Sequence, residues 1–307
     1  METDRISQEN FAHGENSGLG SLNYSMLIED FAISRYRLKD NKLSIKLTGV
    51  KAEEIKMDLS NLLRFDQYGL DMHSEKFEQI IMYTIESTSN HIVNNGHCIF
   101  EKIYKKSKRE NKRLVSLRPI SGKTLISRKY VTQIFTNEDN KIIKLKIPIT
   151  KCYIVEFPII ICSEKKYLNT LKRIKGIDKR NPLKSIFDTN FDSKSSYDVW
   201  EHRRVLDLKL WEITKDISWH HRSQYSNKEM FSNYFLSLVD MEFKRNKILL
   251  LEHILKFIES IINDLFKNIE VNISYQKNHT DIEKEIEDFK RGNFNQDRYI
   301  KIIKDYF

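Results

Sequence analysis

Lys105, Lys106, Lys108, Arg109, Lys112 and Arg113 place six cations within nine residues, and the chemistry open to such a cluster is the binding of phosphate. Lys165, Lys166, Lys172, Arg173 and Lys175, followed by Lys179 and Arg180, repeat the theme further along. Both clusters lie between Lys102 and Lys184, a stretch with 23 Lys and Arg against 6 Asp and Glu. The rest of the chain holds 29 basic and 37 acidic residues, so the overall +9 conceals a strongly basic middle between mildly acidic flanks. Charge concentrated in this way attracts a polyanion, and counterion release from DNA or RNA is the usual driving force. An acidic protein partner would satisfy the same surface.

Other residues carry weaker chemical signals. Gly122-Lys123-Thr124 matches the tail of a phosphate-binding loop, but that motif needs glycine where this chain has Leu117. The following residues, Leu125 to Val131, also read as strand and not as the required helix. His202, His220 and His221, with Glu201, Glu212 and Asp216, fall in one expected helix near Trp200, Trp211 and Trp219. On that helix His202 and His220 would stand about 27 Å apart, too far to share a metal. No metal ligand set and no cofactor is therefore expected. A metal-dependent nuclease would need an acid and an E-x-K triplet on paired strands. Glu54-Ile55-Lys56 and Glu242-Phe243-Lys244 supply triplets, with Asp40 and Asp240 upstream, but on expected helices. Three cysteines, Cys98, Cys152 and Cys162, form no CxxC pair, and Cys98 and Cys152 sit among apolar residues, as core thiols do.

The elements that must position these groups follow from hydrophobic period and turn chemistry. Leu43 to Leu47 alternates as a strand. Lys51 to Phe65 suits an amphipathic helix, and a helix carrying Phe77, Ile81, Ile85 and Ile92, with Ser74 as cap, should stop at Gly96. Cys98 to Tyr104 and Leu114 to Leu117 read as a β-hairpin with the first basic cluster at its tip. Tyr130 to Phe135, Ile142 to Ile149 and Tyr153 to Ile161 are further strands. The second cluster lies on a short helix ended by Gly176. Asn181 to Ser196 reads as a loop, and a helix follows from Asp198 to His221. Ser226 opens a helical stretch reaching Asn268, as one helix or two. Leu251, Leu255, Ile258, Ile262 and Leu265 form a coiled-coil-like seam on it, suited to pairing within the chain or to self-association. Thr280 caps a further helix ending at Gly292, and a last helix carries Tyr299, Ile303 and Tyr306.

The expected fold is α+β: a flexible leader at 1–24, an α+β module with the basic β region at 25–162, and a helical module at 163–307. Hydrophobic content of 40% with 31% charged residues suits a globular chain. METDRISQENF lacks an apolar run and reads as no secretory signal, and no stretch is long and apolar enough for a membrane span. A cytoplasmic, microbial protein without a membrane partner is expected.

From Phe77 to about Phe157, IIMYTIESTSNHIVNNG, HCIFEKIYKKSKRENKR, LVSLRPIS and ITKCYIVEFPI follow one another. The order, an amphipathic helix ending at glycine, a hairpin, then strands, resembles the core of phage portal proteins over about a third of the chain. That resemblance implies a ring-forming, DNA-contacting, non-catalytic protein. The expected function is polyanion binding and assembly without catalysis, of phage, mobile-element or phage-defence origin. A metal-dependent nuclease and a subunit docking an acidic protein are the alternatives.

Overall fold

A computed structural model describes residues 4–7, 22–38, 43–48, 52–63, 76–105, 113–136, 141–180, 199–220, 233–266, 269–276 and 278–293. The fold is α+β, with strands mostly in the N-terminal and central parts and helices dominating the C-terminal part. Two compact units are present, and neither is one continuous stretch. The described residues of Met1–Asn16, Ile33–Glu156 and His253–Tyr275 form the first, and those of Ser17–Ala32, Phe157–Glu252 and Gln276–Phe307 the second.

In the first unit α2 (Arg35–Leu38), β1 (Leu43–Thr48), α3 (Ala52–Leu63) and α4 (Phe77–Asn95) precede the main sheets. The α4 helix ends where its C-terminal glycine allows. Gly96 takes a left-handed φ of 80° and its N–H closes on the Ile92 carbonyl at 2.8 Å. No side chain caps its start at Lys76, and Ser74 lies outside the described residues. Immediately after Gly96 comes β2 (His97–Lys105), the central strand of an antiparallel sheet with β3 (Arg113–Pro119) on one side and β7 (Cys152–Glu156) on the other. The α3 helix packs on β3 and α4 on β2. A second antiparallel sheet follows the order β4 (Lys123–Ile126), β5 (Tyr130–Thr136), β6 (Ile142–Pro148). Val131 and Ile147 from this sheet share a buried cluster with Ile99, Ile120 and Cys152.

The N-terminus departs from the expected flexible leader. Glu101 is fully buried on β2, and its two carboxylate oxygens accept the backbone N–H groups of Ile6 at 2.8 Å and Ser7 at 2.9 Å. Asp4 exchanges bonds with the Tyr104 backbone and pairs with Lys151 at 2.7 Å. A buried carboxylate must find donors, and the passing chain supplies them, so residues 4–7 are anchored.

In the second unit α1 (Leu22–Phe31), α5 (Glu164–Arg180), α6 (Val199–Thr214) and α8 (His279–Lys290) are helical. The buried Asp178 caps α1, accepting from Asn23 N–H at 3.3 Å and Tyr24 N–H at 3.0 Å. Four boundaries differ from those read in the sequence. The strand expected over Tyr153 to Ile161 ends at Glu156, because Pro158 lacks an N–H and its carbonyl accepts from Ile161 in a turn. The α5 helix runs through Gly176 to Arg180, since Ile174 and Asp178 on either side are buried and hold it. The helix expected to reach His221 stops at Thr214. A 3₁₀ turn (Lys215–Ile217) and a left-handed Ser218, φ 57°, follow it. The α8 helix is capped two residues earlier than expected, by a capping box between Asn278 and Asp281. The loop at Asn181 to Ser196, the helix start at Ser226, His221 and the last helix at Tyr299 to Tyr306 lie outside the described residues.

One helix, α7 (Asn233–Leu265), covers the stretch where two were equally expected. Its part to Glu252 belongs to the second unit, where Met241 and Ile248 cluster with Ile282, Ile286 and Phe289 of α8. From His253 it belongs to the first unit, which also takes β8 (Glu270–Tyr275), paired antiparallel with β1 from Leu43↔Tyr275 to Thr48↔Glu270. A purely helical region after residue 163 therefore misses one strand. Among the described residues no helix is long and apolar enough to cross a membrane.

The seam on α7 is core. Leu251, Leu255, Ile258 and Ile262 are buried, and so are Ile254 and Ile261 beside them, a wider stripe than a two-stranded seam needs. The chain's own interior takes these side chains, while Leu265 at the end of the seam is half-buried. Ile258→Asp should lower unfolding free energy by roughly 3 kcal/mol or more, read from the urea midpoint. An unchanged midpoint with an altered oligomer size would show that the seam is an interface.

Candidate functional site

The basic middle resolves into cations with internal partners and cations that face water. Lys102 and Lys151 are of the first kind. Lys102 Nζ sits 3.8 Å over the Tyr153 ring and 4.0 Å from Asp264, while Lys151 holds Asp4. Tyr153 in turn donates to Asp264, and burial pushes its phenol well above the usual range.

The outward-facing cations gather on the β4–β5–β6 sheet. Val131, Gln133, Phe135 and Ile147 on β5 and β6 are buried, so the pleat sends Tyr130, Thr132 and Ile134 of β5 and Lys144 and Lys146 of β6 to the other side. Register aligns these into rows across three strands. Lys123 stands opposite Ile134, and Ile134 opposite Lys144; Leu125 stands opposite Thr132, and Thr132 opposite Lys146. Lys123, Lys144 and Lys146 are exposed, as are Arg128 and Lys129 in the β4–β5 turn. Between Arg113 and Thr136, and again between Lys141 and Val155, the sequence holds no Asp or Glu. Among the described residues none of these five cations pairs with a carboxylate. Lys144 and Lys146 stand two strand residues apart, about 7 Å, and Lys123 lies about 10 Å from Lys144 across two strand spacings.

The hairpin expected for the first cluster is present as β2 and β3. Their register brings Lys105 and Arg113 opposite each other at the open end, and Lys105 is exposed. Lys106, Lys108, Arg109 and Lys112 lie outside the described residues, and of Arg113 only the backbone is described. In the second unit α5 buries Tyr167, Leu171 and Ile174 and turns Lys165, Lys166, Lys172, Arg173, Lys175 and Lys179 outward. Lys166 there pairs with Asp216 at 2.8 Å, and Lys175 lies 4.1 Å over the Tyr24 ring. Lys165, Lys172, Arg173 and Lys179 reach water. Thus the α5 cluster forms an exposed basic face, as the helical spacing predicts.

The sheet cations Lys123, Arg128, Lys129, Lys144 and Lys146 escape a reading that looks for clusters in consecutive residues. Their signal is the alternation Lys144-Leu145-Lys146 together with the acid-free stretch from Arg113 to Thr136. Gly122-Lys123-Thr124 opens β4 with Gly122 at a φ of 81°, so it is a turn into a strand and no phosphate loop.

Catalytic constellations fare differently. Glu54-Ile55-Lys56 lies on α3 and Glu242-Phe243-Lys244 on α7, not on paired strands; Asp40 lies outside the described residues. Glu242 accepts from Ser218 at 3.3 Å and pairs with Lys290 at 3.4 Å, and Phe243 packs on Phe31 at 5.4 Å. His220 is not on the α6 helix and bonds Asp240 at 2.6 Å, so the separation estimated along one helix does not apply to it. Among the described residues no group of three or more His, Cys, Asp or Glu is placed to hold a metal ion.

All three cysteines are buried free thiols. Burial, reinforced by Glu101, pushes Cys152 up to about 12, and burial with nearby Asp216 pushes Cys162 up to about 11. Burial raises Cys98 further. Only the thiolate is nucleophilic, so these groups are suppressed at neutral pH and gain reactivity about tenfold per pH unit below their pKa. At pH 8 iodoacetamide should label the native protein at least about 100-fold more slowly than the urea-unfolded chain, a comparison read by mass spectrometry. Rapid native labelling would contradict the burial. No protein-family model matches the chain, and no curated protein matches it.

Proposed function

We propose that this protein binds nucleic acid without catalysis, using basic surfaces that contact the phosphate backbone. The observation that carries this reading is the outer face of the β4–β5–β6 sheet. There Lys123, Lys144 and Lys146 stand on one side of an ordered scaffold with no carboxylate among them. A solvated protein surface ordinarily intersperses both signs of charge. The exposed side of α5 and the charged end of the β2–β3 hairpin support the same reading. Lysines address phosphates as point charges and have no fixed geometry for reading base edges, so binding should be weakly selective for sequence.

An assembly role would need a surface other than the stripe buried from Leu251 to Ile262. The DNA-contacting role implied by the portal resemblance belongs to the same proposal, and ring formation would be its distinguishing mark. A nuclease is the alternative from another class; its E-x-K triplets on helices do not favour it.

Labelled DNA and RNA titrated across a salt series test the proposal by fluorescence anisotropy. Affinity should fall steeply with salt. Replacing Lys123, Lys144 and Lys146 by Ser should flatten the log–log slope by roughly two to three units, at about 0.7 to 0.9 per phosphate contact. The same change at Lys105, Lys106, Lys108 and Arg109 should flatten it by roughly two to four. Neither substrate should be cleaved in Mg²⁺ or Mn²⁺. No binding at low salt would overturn the proposal and leave the charge to an acidic protein.

A further inference from the structure

The outer sheet face carries more than cations. Tyr130 opens β5 on that face with 42% of its surface exposed, and Leu125 on β4 is 52% exposed. Tyr130 stands opposite Pro148, so Lys146 is its diagonal neighbour, while Thr132 and Ile134 continue the row along β5. An exposed aromatic ring on a folded sheet leaves apolar surface in water and is a ready π-face for a base. The backbone that carries the ring is held by the β4–β5 turn. Ser127 N–H and hydroxyl both bond the Tyr130 carbonyl, at 2.9 and 2.7 Å, and Tyr130 N–H returns to Ser127 at 3.2 Å.

Shape decides which nucleic acid fits. A duplex shows its bases only in grooves, and the major groove admits a helix or a two-stranded ribbon. Three strands side by side already span about 10 Å between the outer backbones, before any side chain is added. Such a face cannot enter a groove, and against a duplex its tyrosine would meet only sugar and phosphate. A single strand can lay splayed bases on it.

We infer that the β4–β5–β6 face is a platform for single-stranded nucleic acid. One base stacks on Tyr130, Leu125 and Ile134 contact the neighbouring base and sugar, and Lys146, Lys144 and Lys123 follow the backbone. The inference rests on the nucleic-acid reading above and adds its substrate class. Stacking and phosphate contact are common to DNA and RNA strands, so both are probed.

Fluorescein-labelled dT₁₂ and U₁₂, and a 12-base-pair duplex, are titrated with the full chain at one salt concentration and then across salt. Single strands should bind more tightly than the duplex. Tyr130→Ala should weaken single-strand binding roughly 5- to 150-fold with the salt slope unchanged, because stacking releases no counterions. Tyr130→Phe should restore affinity, and Tyr130→Trp should be quenched on binding. Lys144→Ser with Lys146→Ser should flatten the slope yet leave that quench. A larger loss with U₁₂ than with dT₁₂ assigns RNA as the strand the platform favours; the reverse assigns DNA. If Tyr130→Ala binds as the parent does, or the duplex binds more tightly, the platform is overturned while the nucleic-acid reading stands. If no probe binds at low salt, the nucleic-acid reading itself fails.

Discussion

The platform proposed for this chain depends on the burial of one face of a three-stranded sheet. Val131, Phe135 and Ile147 are buried, and Val131 and Ile147 join the cluster of Ile99, Ile120 and Cys152. Strand side chains alternate strictly, so burying this set fixes what the other side displays. A one-residue slip of β6 would drive Lys144 and Lys146 inward and expose Ile147, at the cost of two buried, unpaired ammonium groups. The lysines are thus outside because the register cannot be otherwise. The one polar group among the buried β5 positions, Gln133, is satisfied by donating to the Ser121 carbonyl at 2.9 Å.

Two carboxylates in and beside the basic middle are turned inward, away from that positive surface. Asp178 is buried and spent on the N-terminus of α1, where a carboxylate suits both the open N–H groups and the helix dipole. Glu101, next to the start of the basic stretch, is spent on the backbone of Ile6 and Ser7. These two carboxylates hold the fold together from inside. One consequence is mechanical: Lys123, Lys144, Lys146 and the exposed lysines of α5 sit on regular elements, the strands β4 and β6 and a helix.

Much of the fold was legible, and the failures share a cause. Alternation located β1, β-rich runs located β2, β5 and β6, and Gly96 located the end of α4, because these signals are local. Where tertiary contacts decide, local reading failed. Gly176 did not end α5, since neighbours on the same helix are buried. The leader was not free at residues 4–7, since its anchor, Glu101, lies about a hundred positions away in sequence. The β8 strand carried a visible alternation, Val271, Ile273 and Tyr275, but its partner β1 is far earlier in the chain. The candidate site was half legible. Cations adjacent in sequence drew attention to the hairpin and to α5, whereas Lys123, Lys144 and Lys146 become neighbours only through antiparallel register.

Lysine footprinting on the intact protein tests the central claim directly. Brief acetylation with and without a saturating single-stranded oligonucleotide, followed by peptide mass spectrometry, reports the protection of each ammonium group. The account predicts that Lys123, Lys144 and Lys146 are protected together, while Lys102, which sits over the Tyr153 ring beside Asp264, changes little. Oligonucleotide bound with those three lysines as reactive as in the free protein would contradict it.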